Sequence, residues 1–134
     1  MRFALVWAVV FVVFLGGDMI MLPNVIGPFV EARVGAIMLA EPNLIAAAAF
    51  WLLYPAGVVH FAAIPGARSG DMLLAARQGA LLGLMAYGTY ELTNLATLQG
   101  WEWSMVALDM SWGAFLTGLA AAAGAAAGRK AYRG

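Results

Sequence analysis

The chain has no cysteine among its 134 residues, which excludes disulfides, a thiol nucleophile and a thiolate metal site. Charge is scarce too: 10% of the residues are charged and 64% are hydrophobic, with a mean hydropathy of +0.87. A soluble domain is about a quarter charged, so this composition cannot supply a water-facing surface and describes an integral membrane domain. Seven basic residues balance seven acidic ones, and a net charge of zero gives no footprint for nucleic acid. Histidine occurs once, at His60. No E-x-x-H pair is present, and no motif names a metal or a cofactor, so both are unknown from the sequence.

What the chain does have is long apolar runs. Met1 to Leu22 is one, behind a single basic residue, Arg2. A cleaved signal peptide is the competing reading. The run continues through Asp18, however, and no A-x-A site follows, so it is read as a first transmembrane helix. Pro23, Gly27 and Pro28 are expected to break that helix. Phe29 to Ala40 then predicts a short interfacial helix, with Phe29, Val30, Val34, Ile37 and Met38 on one face and Glu31 and Arg33 off it. Glu41-Pro42-Asn43 opens a second span, Leu44 to Ile64, in which Pro55 predicts a kink. Pro65 to Asp71 is a polar loop. Two further spans follow, joined by the few residues Gln99 to Trp103, which predicts an antiparallel hairpin with Trp101 and Trp103 as interface anchors. The expected fold is all-α integral membrane: a four-transmembrane-helix bundle forming a single membrane domain over residues 1–134. Its helices fall at about 3–23, 44–64, 72–98 and 104–126, with a short interfacial helix between helices 1 and 2.

Basic residues set the expected orientation. With a cytoplasmic N-terminus, Arg2, Arg68, Arg77, Arg129, Lys130 and Arg133 lie inside and only Arg33 lies outside, six of the seven. The expected location is the bacterial inner (cytoplasmic) membrane, multi-pass, with both termini cytoplasmic. The halves show no inverted repeat of the transporter kind. Gly79 and Gly83, like Gly124 and Gly128, form G-x-x-x-G pairs that let helices approach closely. The plainer account is that Gly and Ala are simply common in membrane helices.

The third span stands apart because its second half carries Tyr87, Thr89, Tyr90, Glu91, Thr93, Asn94 and Thr97. A carboxylate in hydrocarbon costs several kcal/mol unless it faces protein or water. Counting ~1.5 Å per residue, Asp18 lies ~8 Å, Glu91 ~3 Å and Asp109 ~8 Å below the outer boundary, one depth within the error of the span ends. His60 falls near the inner side, so no Ser/His/Asp set can be assembled. Tyr87, Glu91 and Asn94 share a face by i, i+4, i+7 spacing; on the fourth helix Asp109 and Gly113 do the same, with Trp112 beside them. The candidate ligand-binding residues are therefore Asp18, Tyr87, Tyr90, Glu91, Thr93, Asn94, Asp109 and Trp112. Trp51 and Tyr54 serve packing or the pocket floor. No catalytic residue is assigned. The structural alternative is that each acid bonds a neighbouring Tyr, Trp, Asn or backbone group and sets helix register.

The run Tyr87-Gly-Thr-Tyr-Glu-Leu-Thr-Asn-Leu-Ala-Thr-Leu98 resembles the Y-x-x-Y-[DE]-L-T-N-x-A-T signature of a bacterial membrane family catalogued as domain of unknown function 2177. Asp18, the approach Leu39-Ala40-Glu41-Pro42-Asn43, Phe50, Tyr54, Gly57, Phe61, Gly79, Gly83 and Asp109-x-x-Trp112-Gly113 extend the resemblance over nearly the whole chain. One departure stands out: the family usually carries Trp-Leu shortly after the first-helix Asp, where this chain has Met19-Ile-Met-Leu-Pro23, so an aromatic lid is missing there. The resemblance implies a small four-helix inner-membrane protein of uncharacterised activity.

The leading expectation is a pocket near the outer face that binds or conducts a proton, a cation or a small polar or lipid ligand. A structural or accessory subunit of a larger complex, with glycine faces docking a partner, is the alternative. A lipid-modifying enzyme comes third, because no nucleophile–base pair is present. The lipid bilayer is the partner the composition requires; a membrane protein partner or a homo-oligomer is left open.

Overall fold

The first apolar run folds as α1, Arg2–Met21, and does not stop where the prolines stand. In the computed structural model, which describes residues 1–134, the chain passes through a π-helical turn, Leu22–Ile26, into α2, Gly27–Val34, and a 3₁₀ turn, Gly35–Ile37. The expected break at Pro23, Gly27 and Pro28 is therefore corrected to a continuous helical path of 36 residues, and the short helix predicted over Phe29 to Ala40 is its extension. The reason is local. A proline ring collides with the preceding turn and removes one donor; a wider turn relieves both. The Gly27 N–H bonds to the Leu22 carbonyl, five residues back. Asn24 closes the gap by donating its side-chain amide to the Ile20 carbonyl at 2.6 Å. Glycine is required at position 27, because a Cβ there would collide with that Leu22 oxygen.

The second rod repeats the device. α3, Leu44–Val58, starts at an Asn43 cap whose Oδ1 accepts from the Ala46 N–H at 3.1 Å. Pro55 lies inside it, and a π-helical turn, Val59–Ala63, leads into α4, Ile64–Ser69. In both rods the wide turn sits two residues ahead of a proline, Pro28 or Pro65. After a left-handed Gly70 (φ +73°), Asp71 caps α5, Met72–Thr97, by accepting from the Leu74 N–H at 3.0 Å. A short loop leads to α6, Trp103–Arg133.

The rods alternate in direction, so one end of the bundle carries the loops after Ile37 and Thr97 and the other carries both termini. Arg2 Nη1 donates to the Ala131 carbonyl at 3.3 Å at the terminal end. Helix α6 is central, and α5 lies closest to it. A Cβ on Gly83 would strike the Gly113 carbonyl, and one on Gly79 would lie 2.7 Å from the Thr117 carbonyl. The core joins Val6, Val10 and Phe14 of α1 to Val58, Val59, Ala62 and Ala63 of the second rod and to Leu116, Ala120 and Ala121 of α6. Gly124 and Gly128 are inside this packing: their missing side chains leave room for Val6 and Val10. That corrects the expectation that these glycines form a docking face for a partner.

Three helical stretches are long and apolar enough to cross a membrane: Arg2–Ile37, Leu44–Ser69 and Trp103–Arg133. Helix α5, at 26 residues, is as long as the second of these, but its second half is the polar stretch that holds the site.

Candidate functional site

At the loop end α3 packs on α1 and stands away from α5 and α6. The gap is a pocket of about 500 Å³ lined by Asp18 of α1, Leu22 of the π-helical turn after it, Ala47, Phe50 and Trp51 of α3, Ala86, Tyr87 and Tyr90 of α5, and Asp109 and Trp112 of α6. Behind Tyr87, the Tyr54 ring meets the Tyr87 ring edge to face at 6.3 Å and the Tyr54 hydroxyl pairs with Thr117 Oγ1 at 2.9 Å. Neither Tyr54 nor Thr117 lines the pocket, so Tyr54 serves packing and not the floor. Tyr87 is set by a glycine, since its ring fills the place where a Gly113 side chain would go.

The acids enter in two ways. Asp18, 4% exposed, accepts from Trp51 Nε1 at one oxygen and from Trp112 Nε1 at the other, both at 3.2 Å. These bonds link α1 to α3 and to α6 at the pocket wall. Glu91, 2% exposed, lies behind the wall. It accepts from Trp101 Nε1 at 2.7 Å and lies beside Asp109, which lines the pocket. The three acids are thus placed as two neighbours, Glu91 and Asp109, and a separate Asp18. No three His, Asp or Glu side chains gather closely enough to hold a metal ion.

Of the eight residues singled out from the sequence, Asp18, Tyr87, Tyr90, Asp109 and Trp112 line the pocket, and Glu91 contacts it through Asp109. Asn94 is half-buried one turn beyond Tyr90 and does not line it. Thr93 turns back on its own helix, donating to the Thr89 and Tyr90 carbonyls; Thr89 and Thr97 donate likewise to Met85 at 2.7 Å and Thr93 at 2.8 Å. Much of the polarity of α5 is therefore satisfied within the helix, which a short hydroxyl side chain can always do. His60 is exposed and packs edge to face on Phe61, away from the pocket.

The residues that sequence reasoning passed over are mainly donors. Trp101 stood as an interface anchor, yet it bonds Glu91; Trp51 stood as packing or floor, yet it bonds Asp18. Three of the five tryptophans donate to a buried acid. An indole N–H donates only, so tryptophans placed at the depth of unpaired carboxyl groups were the available signal. They also bear on the missing aromatic lid: after Asp18 the first rod offers only Leu22 there, and α3 and α6 supply the indoles.

A second polar contact secures the loop end. Arg33 Nε donates to Glu102 Oε2 at 2.7 Å, Arg33 Nη1 donates to the Phe29 carbonyl at 2.9 Å, and the guanidinium lies 3.6 Å over the Phe29 ring. The ion pair ties the end of the first rod to the loop that carries Trp101. The Arg33 bond holds the Glu102 carboxyl below the ordinary glutamate range.

Comparison with curated proteins finds no match, and comparison with solved structures finds none. A family model does match, over residues 3–126, including the acids on α1, α5 and α6 and the tryptophans that hold them. The chain belongs to that family, described as predicted membrane protein, DUF2177.

Proposed function

We propose that this membrane protein crosses the bacterial inner membrane four times, with both termini cytoplasmic, and binds a small ligand in the pocket between Asp18 and Asp109. The distribution of basic residues supports the orientation. The observation that carries the binding role is the pocket itself. Space of about 500 Å³ stands open between the helices at a place lined by an acidic side chain from α1 and another from α6. Ligand sites have this make-up, a mostly apolar wall with a few placed polar groups. Charged or polar groups at membrane depth are expensive and are kept for function by default.

Thermal unfolding in detergent tests this role. A fraction of a bacterial membrane extract that contains the ligand raises the Tm of the wild type by several degrees, because binding at 100 times Kd adds about 2.7 kcal/mol. Asp109→Asn, with unchanged helical circular dichroism, gains much less. No fraction acting on the wild type, or an equal gain in the variant, overturns the reading.

A structural role for the acids is the second reading. What favours it is that no buried side-chain nitrogen or oxygen lacks a hydrogen-bond partner. It expects Asp18→Asn and Glu91→Gln to lower the Tm by similar amounts in every extract.

A further inference from the structure

Resting on the binding role above, we propose that the pocket takes an organic ammonium group, carried by a free amine or by the headgroup of an aminolipid. Three observations converge on that chemistry. The first is charge. Asp18 and Asp109 line the pocket, Glu91 backs it, and no Lys, Arg or His reaches it. The one basic residue at that end, Arg33, is already engaged by Glu102 and by the Phe29 carbonyl. An anionic ligand would meet acids with nothing to offset them. The second is the wall. Five of the ten lining residues are aromatic: Phe50, Trp51, Tyr87, Tyr90 and Trp112. Aromatic faces around acidic groups attract organic ammonium cations, and quaternary ones cost least to desolvate because their charge is spread over methyl groups. The third is size. A proton needs no cavity, and a bare metal ion needs several ligands around one point, which the acids do not provide. About 500 Å³ suits a polyatomic cation.

The chain's lack of cysteine makes the test direct. Ala86→Cys places a single thiol on the pocket wall, and Leu39→Cys places one on an exposed loop. Each is treated with methanethiosulfonates of matched size bearing a trimethylammonium, a hydroxyl or a sulfonate group. The expected result is a rate ratio of cationic to anionic reagent at position 86 about tenfold above that at position 39, the enrichment an acidic cleft gives. Asp109→Asn and Asp18→Asn, each in the Ala86→Cys chain, bring the ratio toward that of the loop. Two acids are varied separately so that misfolding of one leaves the other, and the neutral reagent checks each for an unchanged pocket.

Protection then separates the sources. Tetramethylammonium chloride slowing the labelling assigns a free amine. Slowing only in vesicles of phosphatidylethanolamine, and not of phosphatidylglycerol, assigns an aminolipid. A neutral reagent that fails to reach position 86 overturns the pocket and the binding role together. A neutral reagent that reacts, with equal ratios at the two positions or with no protection from either ammonium source, overturns the ammonium assignment alone.

Discussion

Trp101 donates its indole N–H to the Glu91 carboxyl group across 2.7 Å, from the loop after α5 back to a residue buried in α5. The Tyr90 and Trp101 rings meet edge to face at 5.8 Å beside this bond. The loop is thereby part of the site: it holds Glu91, which lies beside Asp109. Trp101→Phe keeps the ring and removes the donor. It is expected to cost about 1–3 kcal/mol, the penalty for leaving a buried acceptor unsatisfied. Reversible unfolding in mixed micelles measures it. In a double-mutant cycle with Glu91→Leu, which removes the acceptor, the two losses should fall short of adding, and strict additivity would sink the pairing.

The Arg33–Glu102 pair predicts an acid response. Arg33 holds the Glu102 carboxyl below its usual range. A depressed acid contributes in full above its unfolded value and loses that contribution as pH falls through the folded one, so the pair weakens as pH falls below the ordinary glutamate range. Hydrogen exchange of the Gln99–Trp101 backbone, corrected for intrinsic rate, should quicken in that window. In Glu102→Gln it should already be quick at pH 7. Equal corrected rates at pH 7 and pH 3 in the wild type would show that the pair does not secure the loop.

Close approach of α5 and α6 makes two glycines behave oppositely. A Cβ on Gly83 meets the Gly113 backbone oxygen, while one on Gly16 meets nothing within 4 Å. Gly83→Ala is expected to destabilise by about 1–3 kcal/mol, because backbone yields poorly to overpacking. Gly16→Ala should be neutral or stabilise by up to about 1 kcal/mol through helix propensity. Steric trapping or denaturant titration reads both, and similar effects at the two sites would contradict the interhelical packing.

Gly124→Leu tests whether the second G-x-x-x-G pair is internal. A Cβ there would lie 2.6 Å from Val10 Cγ2 and 3.2 Å from Ala63 Cβ. The expected outcome is loss of folded monomer, seen as a lower Tm and lower yield. A variant with wild-type monomer stability and only a changed oligomeric state on light scattering would place the face outward after all.

Much of this arrangement is legible in the chain. Apolar runs, caps at Asn43 and Asp71 and the left-handed glycine at Gly70 are local signals, and helices form where they point. The depths of Asp18, Glu91 and Asp109 follow from rise per residue. Two kinds of feature escape such reasoning. Pro23 and Pro28 read as helix breakers and Pro65 as the start of a loop to Asp71. All three sit within helical paths, the second running on to Ser69, because the backbone can widen by one residue per turn. Pro55, expected inside its span, lies there. Thr93 reads as a site residue, but a free hydroxyl on a helix has its own carbonyls within reach.

By itself the sequence determined that the chain is helical, built for a bilayer, and acidic at one depth, since composition and the fixed rise of a helix decide those. Only the tertiary structure decided which acids meet. Placing Glu91 beside Asp109 and leaving Asp18 to two indoles depends on the rotation of each helix about its axis and on the gap between α3 and α5. Those are set by small residues such as Gly83 and Gly113 packing against partners far away in the chain, where no local periodicity can specify the angle.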